Sequence, residues 1–153
     1  MMLLPRGFKY SGVAAGIKPK RKDLAMVWSE RPASAAGVVT VNKAKAAPAL
    51  DAEARLPMKG AQAIIINAGN ANALTGPAGL EAVQQIHDQL ASRLNIQSSA
   101  VLSASTGVIG DKLQTDKVVD AMPALISNLR MEPASAAEAI MTTDTRVKMP
   151  SRY

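Results

Sequence analysis

The tract Ala104-Ser105-Thr106-Gly107-Val108-Ile109-Gly110 sets a hydroxyl beside a glycine amide directly after the apolar run Ala100-Val101-Leu102. It reads as a strand that stops in a tight turn, where glycine supplies the backbone freedom. A Thr hydroxyl and a Gly N–H fixed together are suitable donors for the oxyanion that develops in acyl transfer. A second tract, Asn67-Ala68-Gly69-Asn70-Ala71-Asn72-Ala73, places three amides among small residues. Core packing does not account for them. They form either a structural loop, since Asn tolerates left-handed backbone and bonds its own chain, or amides that face a ligand or hold a neighbouring loop. In a third tract, Met141-Thr142-Thr143-Asp144-Thr145-Arg146, hydroxyls and a carboxylate crowd a helix end. Ordinary chain termination is one reading. The other is a polar wall for a small substrate, with Arg146 or Lys148 available to a carboxylate.

Other chemistries are excluded by residue type. Without Cys there is no disulfide, thiolate metal site or thiol nucleophile, and one His cannot make a multi-histidine centre. No metal site is therefore expected. The glycines at 107 and 110 could cradle a phosphate, but Lys112 lacks the following Ser or Thr of a Walker loop. The third Gly of a dinucleotide fingerprint is missing too. His87 lies at the edge of an apolar helix stripe with no acidic partner at an obvious spacing, so a partly buried or simply exposed helix histidine is the favoured reading over a catalytic one. The net charge is +6, and its densest cluster is Lys18, Lys20, Arg21 and Lys22. A nucleic-acid surface would interleave such charge with stacking aromatics, and only Phe8, Tyr10, Trp28 and Tyr153 are present. The cluster reads instead as a solvated turn between strands, and no nucleic-acid partner is expected. The positive field would still draw small anions.

These residues need elements to hold them. The 153 residues suit one domain over 1–153, long enough to bury a core of aliphatics, Met and Ala, because aromatics make up only 3%. Strands are expected over Asp23–Ser29, Gly37–Asn42 and Ala61–Asn67, the last a β-branched run suited to burial on both faces. Val83, Ile86, Leu90 and Leu94 make one stripe of a helix over Gly79–Leu94. A second helix is expected over Thr115–Leu129, kinked or broken at Pro123. A short third one begins near Ser135, where Ser135 and Glu138 have capping-box spacing. An α/β layered domain follows from that order. The apolar Met1-Met2-Leu3-Leu4 is too short for a signal-peptide core or a membrane span, so a soluble cytoplasmic protein without a membrane partner is expected.

Taken together, the blocks carry a resemblance. Gly16-Ile17-Lys18, Asp23-Leu24-Ala25, Ala36-Gly37-Val38 and Ala46-Ala47-Pro48 precede the Asn tract, the Thr-Gly tract and Ala139-Ile140-Met141-Thr142-Thr143-Asp144-Thr145. In this order they closely resemble the N-terminal part of the ornithine acetyltransferase (glutamate N-acetyltransferase) family of arginine biosynthesis, from about Gly7 to Lys148. The resemblance implies that family's α/β fold. It implies acetyl transfer from N-acetylornithine to glutamate, with acetyl-CoA as a candidate co-substrate and no bound cofactor. Family precursors cut themselves between an Ala and a Thr, and the freed Thr heads a β-chain and acts as the nucleophile. By resemblance the partner is that β-chain, in a heterotetramer of two α- and two β-chains. Thr106 and Gly107 match the oxyanion-hole pair, and Thr142 matches a substrate-binding position. Asn67, Asn70 and Asn72 would support them.

The departures matter as well. No Thr here follows an Ala, and the family's Lys-Gly-x-Gly-Met segment is missing. The chain is therefore expected to cover most of the first subunit, holding part of the oxyanion hole without the nucleophile. The alternative expectation is a non-catalytic, truncated relative that binds a small molecule or a partner, or a gene fragment.

Overall fold

The computed structural model describes residues 4–149. Four strands, β1 (Phe8–Val13), β2 (Leu24–Ala35), β3 (Met58–Asn70) and β4 (Val101–Val108), form one sheet in the order β1-β2-β3-β4. The first two junctions are antiparallel and β3 pairs with β4 in parallel. A parallel pair needs a crossover, which is helix α2 (Gly76–Leu94). The other helices are α1 (Ala47–Arg55), α3 (Thr115–Ser127) and α4 (Ala134–Ala139). The result is the α/β layered arrangement that the order of patterns implied.

One sheet face makes the main core. Leu24, Met26, Ala63, Ile65 and Val101 meet Ile86 and Leu90 of α2 and Val118, Met122 and Leu125 of α3. The stripe read from spacing on α2 supplies its share of these contacts. On the other face α4 covers β1 and β2, where Ala136 and Ala139 pack against Ala25, Tyr10 and Ile66. Gly12 permits this approach, because a Cβ there would lie 1.9 Å from the Ser135 carbonyl oxygen.

Several expectations fail for identifiable reasons. Residues 37–42 form no strand, and Val38 and Val41 are 99% and 98% exposed. β-propensity is a preference for a pleated, half-buried surface, and residues this exposed have none to pack on. Ala61–Asn67 is not buried on both faces, since Ile64 is 38% exposed where α4 does not reach. Strand β1 and helix α1 lie outside the patterns read above, although Pro48 at the start of α1 is an ordinary helix-start residue. Of the kink or break expected at Pro123, there is no break, because helix α3 continues through it. Its ring lies on the exposed side, where water can bond the carbonyl left without a donor. The Ser135–Glu138 capping box is absent. The cap position is Pro133, and Glu138 pairs with Lys22 instead.

Candidate active site

Strand β4 does not stop before Thr106. It continues to Val108 alongside the extended end of β3, with Ala68 opposite Thr106 and Gly69 opposite Gly107. The register then slips at Asn70, which faces both Thr106 and Val108. Glycine is required at this irregularity. Gly69 and Gly107 have φ of +114° and +134°, and a Cβ on Gly107 would lie 2.3 Å from the Gly69 carbonyl carbon. The two backbones touch with no side chain between them. Thr106 and Gly107 are exposed.

The asparagines lock this corner. All three are buried. Asn67 Oδ1 accepts from Ser105 Oγ at 2.6 Å, and Asn67 Nδ2 donates to the Asn70 carbonyl at 2.8 Å. Asn70 Nδ2 donates to the carbonyls of Asp111 and Lys112, while its Oδ1 accepts from the Asn72 N–H at 2.7 Å. Asn72 Nδ2 donates to the Gly79 carbonyl, and its Oδ1 accepts from Thr75 Oγ1. Backbone bonds from the Ala71 N–H to Val108 and from the Gly110 N–H to Ala73 complete the join. Of the readings left open for these amides, the geometry is that of groups holding neighbouring segments. Each bonds protein atoms on both its oxygen and its nitrogen.

The segment before β2 reaches the same corner. Asp23 is fully buried, and its carboxylate accepts from the Ala15 N–H at 2.6 Å and the Lys18 N–H at 2.7 Å. That pair of bonds folds the basic turn back onto β3. There Ile17 Cγ2 and Lys18 Cγ would each lie 2.9 Å from a Cβ on Gly69. Lys18 Nζ then donates to the Met141 carbonyl at 2.6 Å, next to Thr142, and to the Ala139 carbonyl at 3.5 Å. Burial lowers the pKa of this ammonium, with the negative charge of Asp23 opposing the shift. Reading the whole cluster as a solvated turn missed this lysine. The signal was an Asp at the mouth of a strand, five residues after a Lys.

Thr142 is half-buried in the wall of a cavity of about 620 Å³ that Lys18, Arg21, Lys22, Glu138, Asp144 and Thr145 also line. Thr106 and Gly107 do not line it. The corner and the cavity are joined through Lys18. Lys148 Nζ sits 2.5 Å from Asp144 Oδ1. That bond, with help from the Thr142 N–H, holds the Asp144 carboxyl below the usual range. Of the two cations considered for a substrate carboxylate, Lys148 is thus already engaged.

His87 is 1% exposed and shares a 3.0 Å hydrogen bond between its Nε2 and Ser103 Oγ. Burial lowers its pKa to about 4, opposed by the charge of Asp51. It sits between α2 and β4, more deeply buried than the partly buried or exposed histidine expected from the sequence. Among the described residues no group of His, Asp and Glu is placed to hold a metal, and no helix is long and apolar enough to cross a membrane.

Comparison with known proteins adds a family. The ArgJ family profile matches residues 9–153. The arginine biosynthesis bifunctional protein ArgJ of Thermotoga neapolitana is 46% identical over 154 residues, covering 99% of this chain and 38% of that protein. Its counterpart in Caldanaerobacter subterraneus subsp. tengcongensis is 47% identical over 146 residues, or 95% of this chain and 36% of that one. The chain thus spans well under half the length of these curated relatives. Among solved structures, ornithine acetyltransferase from Mycobacterium tuberculosis, in complex with ornithine, superposes with a TM-score of 0.89 at 39% identity. That match covers 93% of this chain and 79% of the other. Arginine biosynthesis bifunctional protein ArgJ from Bacillus halodurans gives a TM-score of 0.84 at 37% identity, covering 92% and 75%.

Proposed function

The chain belongs to the ArgJ family, and from that membership we propose that it supplies the anion-stabilising part of an acetyl-transfer centre. The reaction is transfer of acetyl from N-acetylornithine to glutamate in arginine biosynthesis, with acetyl-CoA as a candidate second donor. Thr106 Oγ1 and the Gly107 N–H are the donors to the tetrahedral oxyanion. Thr142 contacts substrate, and Asn67, Asn70 and Asn72 keep the Thr-Gly segment in place. The attacking Thr, which in the family follows an Ala, comes from a β-chain, with which this chain forms a heterotetramer in the cytoplasm.

One observation carries the reading. Thr106 and Gly107 are exposed at a strand end where Gly107 packs directly against the Gly69 backbone. A carbonyl can reach them. Donors fixed before reaction need no reorganisation when charge develops, which is what makes such a site effective.

The test combines the chain with a β-chain of the family and follows acetyl transfer from N-acetylornithine to glutamate. Transfer is expected, and Thr106→Ala should lower kcat by roughly 10²- to 10³-fold with little change in association. Stable association without transfer would overturn the proposal. It would favour the second reading, a non-catalytic module that binds a small molecule or a partner, which the lack of any Ala-Thr step in these residues motivates.

A further inference from the structure

Lys18 touches both halves of the candidate site. Its stem packs where Gly69 has no side chain, and Gly69 is the residue against which Gly107 lies. Its ammonium holds the carbonyls of Ala139 and Met141 at the end of α4, one residue from Thr142. The backbone of Lys18 is itself fixed, through its N–H, to the buried Asp23 carboxylate. A flexible side chain would not ordinarily set a distance between two segments. This one is anchored at its N–H, at mid-stem and at its tip.

We infer that Lys18 is a positioning residue, a strut whose contacts with Gly69 and with the Met141 carbonyl set the separation between the Thr106–Gly107 donors and the Thr142 wall. This rests on the acyl-transfer reading above. The carbonyls that the ammonium engages belong to a six-residue helix and to the segment leaving it. A helix this short has little intrinsic stability, so a charged donor on its terminal carbonyls supplies much of what keeps that end in place. Charge-assisted bonds of this kind are also shorter and stronger than neutral ones. Arg21 and Lys22 line the same cavity, but Lys22 is paired with Glu138. Lys18 is the cation of the cluster bonded to the Thr142 segment's backbone.

The experiment compares Lys18→Met, which keeps the stem and removes the ammonium, with Lys18→Arg, which keeps the charge. Hydrogen exchange in the full chain is expected to rise roughly tenfold over residues 140–145 in the Met variant, while the α3 amides of the apolar layer stay protected. The Arg variant should restore most of that protection. In the active assembly with a β-chain, the Met variant should raise KM for N-acetylornithine about tenfold while kcat falls less than threefold, because the loss is in substrate placement. Exchange that accelerates evenly across the core, or an unchanged KM in an active assembly, overturns the inference. If the unmodified assembly transfers no acetyl, the acyl-transfer reading fails, and the exchange comparison still decides whether Lys18 holds the segment.

Discussion

The middle and the end of β3 are held by different forces. Ala63 and Ile65, at its centre, sit in a layer with Leu24, Met26, Val101, Leu90, Met122 and Leu125, where position follows from apolar burial. Burial is non-directional, and such layers accept changes that conserve volume. From Asn67 onward the strand is held by amide hydrogen bonds and by contact between two glycine backbones. Those interactions are directional and short, and they accept almost no change. The Thr-Gly pair lies at the second kind of place. A site that must present backbone N–H groups cannot use bulky side chains to fix them, so it uses small residues and amides bonded to neighbouring chain.

The largest effect should come from breaking the contact between glycines. Gly107→Ala places a methyl 2.3 Å from the Gly69 carbonyl carbon and 2.6 Å from the Asn70 nitrogen, at a φ of +134°. All are backbone atoms of a paired strand, so no side-chain movement relieves the clash. Strain of this backbone type and overpacking each cost about 1–3 kcal/mol, which together make about 4 kcal/mol. Urea unfolding should show that loss in full. Hydrogen exchange should locate the damage at 67–73 and 104–112. A shift below about 1 kcal/mol would mean that the two backbones part easily and the corner is not rigid.

Much of this contrast was readable from residues. The stripe Val83, Ile86, Leu90 places α2 correctly because helix periodicity survives without context, and three of its members are buried. The Asn and Thr-Gly tracts were recognisable because small and amide residues cluster there for no packing reason. Gly37–Asn42 misled because β-branched residues look alike whether or not the segment has a surface to pack on. Lys18 was only half legible, through its spacing to Asp23. Its partner at Met141 becomes a neighbour only when the turn folds back, and that contact does not follow from spacing along the chain.

A titratable group inside the apolar layer sharpens the comparison further. His87 faces Ser103 on β4, with Asp51 and Arg55 of α1 and Asp88 of its own helix as the surrounding charges. Its pKa falls from the ordinary 6.5 to about 4 in the folded chain, chiefly through burial. Between those values the unfolded chain binds more protons, so stability must rise with pH. The contribution is complete above 6.5, is lost progressively as pH falls towards 4, and changes no further below that. At about 1.4 kcal/mol per pH unit, the total is on the order of 3 kcal/mol. His87→Gln can keep a bond to Ser103 without titrating, and the difference in unfolding free energy between the two proteins should carry this slope. Parallel pH profiles would show that water reaches the imidazole and that the layer is less dry than its packing implies.

The smallest effect concerns a polar atom that the apolar layer does not satisfy. Ser11 lies on β1 opposite Met26, is fully buried, and its Oγ has no hydrogen-bond partner among the described residues. In the Asn corner each buried amide bonds on both sides. Here a hydroxyl has been desolvated without return. Leaving such a group unpaired costs about 1–3 kcal/mol, while deleting one oxygen opens only a small void. Ser11→Ala is therefore expected to raise stability by about 1 kcal/mol, the opposite sign to most buried substitutions. A higher urea midpoint with unchanged slope would show it. A lower midpoint would mean that the hydroxyl contributes a bond to the fold after all. Burial alone would then not mark the division between the strand centre and its end, because both regions would depend on satisfied polar groups.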